Sequence, residues 1–171
     1  MDKFVKTEIY NLVLSEVALS VNETLRTMFG IETKALENVI ESECFTEGDI
    51  SGLMSIVGDK FGGAIIISFP KQTIFKILEK VYFMEFNEVN ESVISGVGEL
   101  ANIIYGLVKT SINKQGDNLQ MSLPNVILGN QHVIVGVSNG PVVKIPFNTE
   151  LGDFSVLVYL TEIGKKSNLA A

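Results

Sequence analysis

The chain has 171 residues, 46% of them hydrophobic and 19% charged, which suits one globular domain and excludes a disordered chain. A formal net charge of −7 argues against nucleic-acid binding, which needs cations against phosphates, and suits a partner that offers Lys or Arg. The single cysteine, Cys44, permits neither an intrachain disulfide nor a cysteine-based zinc site, and no run of 18 apolar residues offers a membrane span. The first residues lead straight into an amphipathic pattern with Glu8 and Glu16, with no apolar leader and cleavage site, so a cytoplasmic protein is expected.

Residues 5–29 predict a helix, with Val5, Ile9, Leu12, Val13, Val17 and Leu25 at three-to-four spacing and Gly30 as its stop. Residues 34–46 are ambiguous; a strand is expected near Asn38–Phe45, with Cys44 as a small buried hydrophobe. Two strands follow, Ile50–Val57 and Gly63–Phe69, joined as a hairpin by Gly58-Asp-Lys-Phe-Gly62. Pro70 fits the first position of a helix over 71–84, whose buried face is Ile74, Phe75, Ile77, Leu78, Val81 and Tyr82. Asn90 is the expected cap of a long helix over 91–114, with Glu91 near its positive end. Beyond Gly116 the pattern returns to strands at 123–128, 131–138, 141–148 and 153–162.

Phe61-Gly-Gly-Ala-Ile-Ile-Ile-Ser-Phe69 is echoed by Leu151-Gly-Asp-Phe-Ser-Val-Leu-Val-Tyr159, and each follows a strand run in a half that begins with a long helix. The expected fold is therefore α+β: two pseudo-repeated halves, an antiparallel-rich sheet and long helices packed on one face. A single domain is expected over 1–163, with a loose polar tail over 164–171.

The 91–114 helix carries the strongest functional signal. Val93, Val97, Leu100, Ala101, Ile104, Leu107 and Val108 make an apolar face, and Ser95, Glu99, Asn102, Gly106 and Lys109 fall opposite. A solvated polar stripe is the plain explanation. Yet Gly96, Gly98 and Gly106 each cost about 1 kcal/mol relative to Ala inside a helix, and they suggest a surface kept smooth for another protein.

These residues resemble the signature of the CheC/CheX/FliY phosphatases, in which a Ser or Asp, then Glu, then Asn and a later Pro mark an active helix. Ser95, Glu99, Asn102 and Pro124 match it in order. Phe29-Gly-Ile-Glu-Thr33, the glycine-rich strand pair at 62–69 and Leu123-Pro-Asn-Val-Ile-Leu-Gly129 extend the likeness to CheX over most of residues 5–162. The resemblance implies hydrolysis of the aspartyl phosphate of a CheY-like response regulator, in chemotaxis or another two-component circuit. It implies Asn102 as the residue that positions the attacking water and Glu99 as the anchor for the regulator's active-site Lys. Ser95 and Pro124 support the motif by shaping the helix and its packing. No cofactor belongs to the chain itself; Mg²⁺ is carried by the regulator. A homodimer joined through its sheets is implied too, with the strand-rich segment 131–162 as a candidate edge. The alternative is a non-catalytic module that docks on a receiver domain as a scaffold, although a scaffold has no need of the amide.

A second site on the first helix is not expected. Glu8 and Asn11 have the spacing but lie too early, and aligning Gly30 with Gly116 sets Val13 and Glu16 opposite Glu99 and Asn102. His132, the only histidine, belongs to a strand-like run, and no nucleophile-elbow pattern is present to use it. Gly58–Gly63 lacks the Lys-Ser/Thr ending of a phosphate-binding loop. Lys71, Lys76 and Lys80 suit an exposed helix face, and Asn125 a turn.

Overall fold

The structure, a computed structural model, describes residues 7–134 and 141–163. Among the described residues, three helices, α1 (Thr7–Phe29), α2 (Lys71–Tyr82) and α3 (Glu91–Lys114), accompany nine strands. The strands are β1 (Thr33–Ala35), β2 (Val39–Glu41), β3 (Phe45–Thr46), β4 (Ile50–Val57), β5 (Phe61–Phe69), β6 (Asn125–Leu128), β7 (His132–Val133), β8 (Val142–Thr149) and β9 (Phe154–Glu162). None of the described helices is long and apolar enough to cross a membrane.

The main sheet runs β1-β8-β9-β5-β4-β6, with β2 also on β8, and every ladder is antiparallel. The β4–β5 and β8–β9 hairpins lie back to back through β5 and β9, the two echoed segments. Ile50 faces Phe69 in the first hairpin, as Val142 faces Tyr159 in the second. Each half's leading strand crosses to the other half: β1 pairs with β8, and β6 with β4. The expected α+β fold of two pseudo-repeated halves is the fold observed.

Alternation along the central strands divides the core. Ile65 and Ile67 of β5, with Val156 and Val158 of β9, face the helices. Ala64, Ile66, Leu157 and Tyr159 face away and pack with Cys44 under the small β3–β7 ribbon. Both faces of these strands are covered, which explains their nearly unbroken apolar sequence. On the helix side, α3 rests on β4 at Gly52. A Cβ there would lie 2.8 Å from the Ala101 Cβ and 3.3 Å from the Val97 carbonyl oxygen. Two small residues thus let the helix backbone come down onto the strand, and this contact sets the height of α3 above the sheet.

Several expectations change. The strand expected over Asn38–Phe45 divides into β2 and β3, because β2 pairs with β8 and β3 with β7; Cys44 lies between them, buried but outside a strand. Pro70 is the N-cap of α2, not its first residue; its carbonyl accepts from Thr73 and Ile74, and the Lys71 N–H donates to Asp49 at 2.7 Å. Ile74, Phe75, Ile77 and Leu78 are buried as expected, but Val81 and Tyr82 are exposed where the last turn of α2 runs past the core. Strands β8 and β9 are interior, so the edge expected from 131–162 is not theirs; the outer strands are β6 on one side and β1 with β2 on the other. Of the strand expected over 131–138, only His132–Val133 falls in a described strand, and residues 135–140 and the tail from 164 lie outside the described residues.

Candidate active site on the third helix

The α3 helix starts as its sequence dictates. Asn90 adopts an extended conformation and its side-chain oxygen accepts from the Val93 N–H at 3.1 Å, while Glu91 occupies the first turn. Val93, Val97, Leu100, Ala101, Ile104, Tyr105 and Val108 are buried against the sheet. Leu107 is not: it is 37% exposed and lines a groove shared with α1.

On the outer side Ser95 and Glu99 are exposed and Asn102 is half-buried. Spaced four and three residues apart, they share one line along the helix. Among the described residues, neither the Glu99 carboxylate nor the Asn102 amide has a hydrogen-bond or ion-pair partner within the chain. An anion is therefore free to take up an external cation, and a neutral amide retains donors and an acceptor for an external ligand.

The glycines act differently from one another. A Cβ on Gly96 would meet the Leu78 methyl groups at 2.8 and 3.0 Å, so Gly96 lets α2 pack against α3 rather than clearing a docking path. Gly98 faces Val126 and Pro124, at 3.5 and 4.0 Å from such a Cβ. Only Gly106 of the three has open space around it. Pro124 thus lies beside α3 one residue from Glu99, which brings the four motif residues to one region of the molecule.

The stripe is an open surface. A groove of about 510 Å³ lies elsewhere, between α1 and the C-terminal half of α3, lined by Glu16, Leu19, Arg26, Leu107 and Lys114 among others, and it contains none of the motif residues. Among the described residues no three His, Cys, Asp or Glu side chains converge as metal ligands. His132 is half-buried on the β7 ribbon, with its ring nitrogen 3.0 Å from the Leu128 carbonyl oxygen, a structural position far from catalysis in type. Gly58-Asp-Lys forms the β4–β5 turn, as expected.

Comparison with known proteins decides the family. The model of the chemotaxis phosphatase CheX family matches residues 50–148, more than half of the chain. The chain belongs to the CheX family. A CheY-P phosphatase CheX from Thermotoga maritima is 28% identical over 130 residues, which span 75% of this chain and 82% of the relative. A CheC-like superfamily protein from a Shewanella species superposes with a TM-score of 0.80 at 27% identity, over 87% of this chain and 97% of that one. The CheX of Borrelia burgdorferi, solved with CheY, BeF3 and Mg²⁺, shares the fold at a TM-score of 0.72 and 21% identity, covering 88% and 98%. The CheX match spans β4 to β8 and so includes α3, its stripe and Pro124.

The first helix carries no copy of the CheX stripe. Val13, Val17, Ser20 and Val21 are buried in α1 as Val97, Ala101, Ile104 and Tyr105 are in α3. Matched that way, Ser15 and Ala18 fall at the places of Glu99 and Asn102; matched one turn later in α1, with Thr24 and Leu25 on Ile104 and Tyr105, Leu19 and Asn22 do, and neither register gives both an acid and an amide. Aligning by the terminal glycines instead selects Val13, a core residue that cannot lie on an outer stripe.

Proposed function

We propose that this chain hydrolyses the aspartyl phosphate of a CheY-like receiver domain in chemotaxis, with Asn102 and Glu99 of α3 as its working residues. The observation that carries this reading is an exposed carboxylate and a half-buried amide, both unpartnered among the described residues, on the outer line of one helix in a CheX-family chain. The Thermotoga relative, a CheY-P phosphatase, supports the substrate class.

The chemistry asks little of the phosphatase. A water attacks phosphorus in line, the bond from phosphorus to the aspartyl oxygen breaks, and the products are a carboxylate, inorganic phosphate and a proton. Catalysis of such a transfer lies in positioning and charge stabilisation. The Asn102 amide can accept from the water through its oxygen and donate through its nitrogen, and it stays neutral at every working pH. Glu99, further out on the helix, pairs with the receiver's active-site lysine and sets the register of docking. Ser95 and Pro124 shape the helix surface and its packing. Mg²⁺ comes with the receiver in this reading: Glu99 is one carboxylate on an open surface, too few ligands for a hard dication of its own. The reading also includes a cytoplasmic homodimer of a 1–163 domain, joined at an outer strand, which in this fold means β6 or β1 with β2.

The test uses a receiver domain charged with acetyl phosphate. Wild type should speed phosphoryl loss, and Asn102→Ala should lower that rate by about 100-fold or more, the scale of a misplaced reactant. Glu99→Ala should weaken binding to the phosphorylated receiver about tenfold, equivalent to about 1.4 kcal/mol. Equal hydrolysis by wild type and Asn102→Ala would reject the mechanism, and binding without hydrolysis by wild type would establish a scaffold. Sedimentation equilibrium tests the homodimer; a single monomeric species rejects it.

A further inference from the structure

The segment between α3 and β6, residues 115–124, has no regular structure, yet its first half is tied down. Asp117 pairs with Lys60 at 2.7 Å, and Asn118 donates to Asp59 at 3.1 Å. Leu119 is buried, and its N–H and carbonyl both bond the Asn113 side chain. The Gln120 N–H donates to the Val57 carbonyl at 2.7 Å, and the Gln120 carbonyl accepts from the Tyr105 hydroxyl at 2.8 Å. Pro124 then lies by Gly98. The strap therefore runs back along α3 from Tyr105 to Gly98. Asn102 lies between those two contacts, three residues before the one and four after the other, on the flank the strap borders. Its half-burial, beside an exposed Glu99, fits that position.

Between the two anchored ends the strap presents Met121 and Leu123 to solvent, 68% and 84% exposed. Loose loops shed apolar side chains into water at little consequence. This segment is hydrogen-bonded at Gln120 and meets α3 through Pro124 at Gly98, which keeps both side chains near that stretch of the helix and lowers the ordering cost of docking. Large apolar side chains exposed next to a polar site are features of an interface anchor.

We propose that Met121 and Leu123 form an apolar docking lip for the phosphorylated receiver domain, beside Asn102 on the side away from Glu99. This rests on the phosphatase reading of α3. The occupant follows from the position: a protein whose phosphoaspartate reaches Asn102 on an open helix must cover the strap as well. Glu99 supplies the ionic contact on one side of the amide and the lip the apolar contact on the other.

The variants Met121→Ser, Leu123→Ser and the double change, all at exposed positions, are compared with wild type and Asn102→Ala. Phosphoryl loss is followed at varied receiver concentration, and affinity is measured for a receiver locked with beryllofluoride and Mg²⁺. The double variant is expected to raise KM and the dissociation constant at least about tenfold, with kcat within about twofold and an unchanged melting temperature. Leu123→Met should restore most of the affinity. Asn102→Ala should lower kcat and leave KM unchanged. If the double variant binds and turns over like wild type while Asn102→Ala is inactive, the lip is overturned and the phosphatase reading stands. If the double variant instead changes the sedimentation of the chain alone with KM unchanged, the lip faces a second copy and the proposal fails. If wild type does not act on the receiver, both readings fail together.

Discussion

Asn102 and Glu99 differ in how much of them the fold covers, and their proposed roles follow that difference: the covered amide works on the water, the exposed acid on the partner. A second residue with a measurable consequence is Tyr10 of α1. Its hydroxyl lies 2.9 Å from the Pro141 carbonyl oxygen and 3.0 Å from that of Val158, and burial pushes its pKa from 10.0 up to about 12. Burial likewise pushes the Cys44 thiol from 9.0 up to about 11. Both groups are held neutral in the folded chain and ionise earlier in the unfolded one. Stability from them is complete below pH 9 and is lost as pH rises through 12. The denaturant midpoint should therefore fall across pH 9–12, and Tyr10→Phe should flatten the upper part of that fall. An identical alkaline slope in Tyr10→Phe would refute the assignment to Tyr10. At neutral pH the same variant should lose about 1 kcal/mol, the usual net worth of such a hydrogen bond.

At the level of elements, the site depends on where α3 sits, and Gly52 of β4 decides that. A methyl group at Gly52 would overlap the Ala101 Cβ at 2.8 Å and press on the Val97 carbonyl. Backbone cannot move aside as a flexible side chain does. Gly52→Ala should therefore cost about 1–3 kcal/mol, as overpacking does, seen as a fall in melting temperature of several degrees. Unchanged stability would show that the helix has room to lift. Helix α3 itself was legible from Asn90 onward, because a cap, a first-turn acid and a 3.6-residue period all agree. The three-residue β1 was not. It is too short to carry a period and exists because Thr33, Lys34 and Ala35 meet the partner strand β8. Likewise Val81 and Tyr82 fit the apolar face of α2, but the sheet ends before the helix does.

Across the whole molecule, the two halves exchange their leading strands, so neither hairpin is completed without the other half. This arrangement makes the sheet one unit and sets α1 and α3 at equivalent places, yet only α3 bears the acid and the amide. Calorimetric titration with a beryllofluoride-locked receiver should therefore give one receiver per chain. Two would mean that α1 also docks a receiver by contacts other than an acid and an amide.

The sequence by itself determined the long helices, the two hairpins, the echo between the halves and the order Ser95, Glu99, Asn102, Pro124. Each of these rests on local spacing: helix period, strand alternation, turn chemistry and caps act among neighbours in the chain. Only the tertiary structure decided which strands are interior, what Gly52 and Gly96 are for, and that Val13 of α1 is core and not part of an outer stripe. It alone set the strap of residues 115–124 against α3 at Tyr105 and Gly98, with Met121 and Leu123 exposed. Those features come from contacts between residues far apart in sequence, and a single chain's pattern carries no record of which distant surfaces will meet.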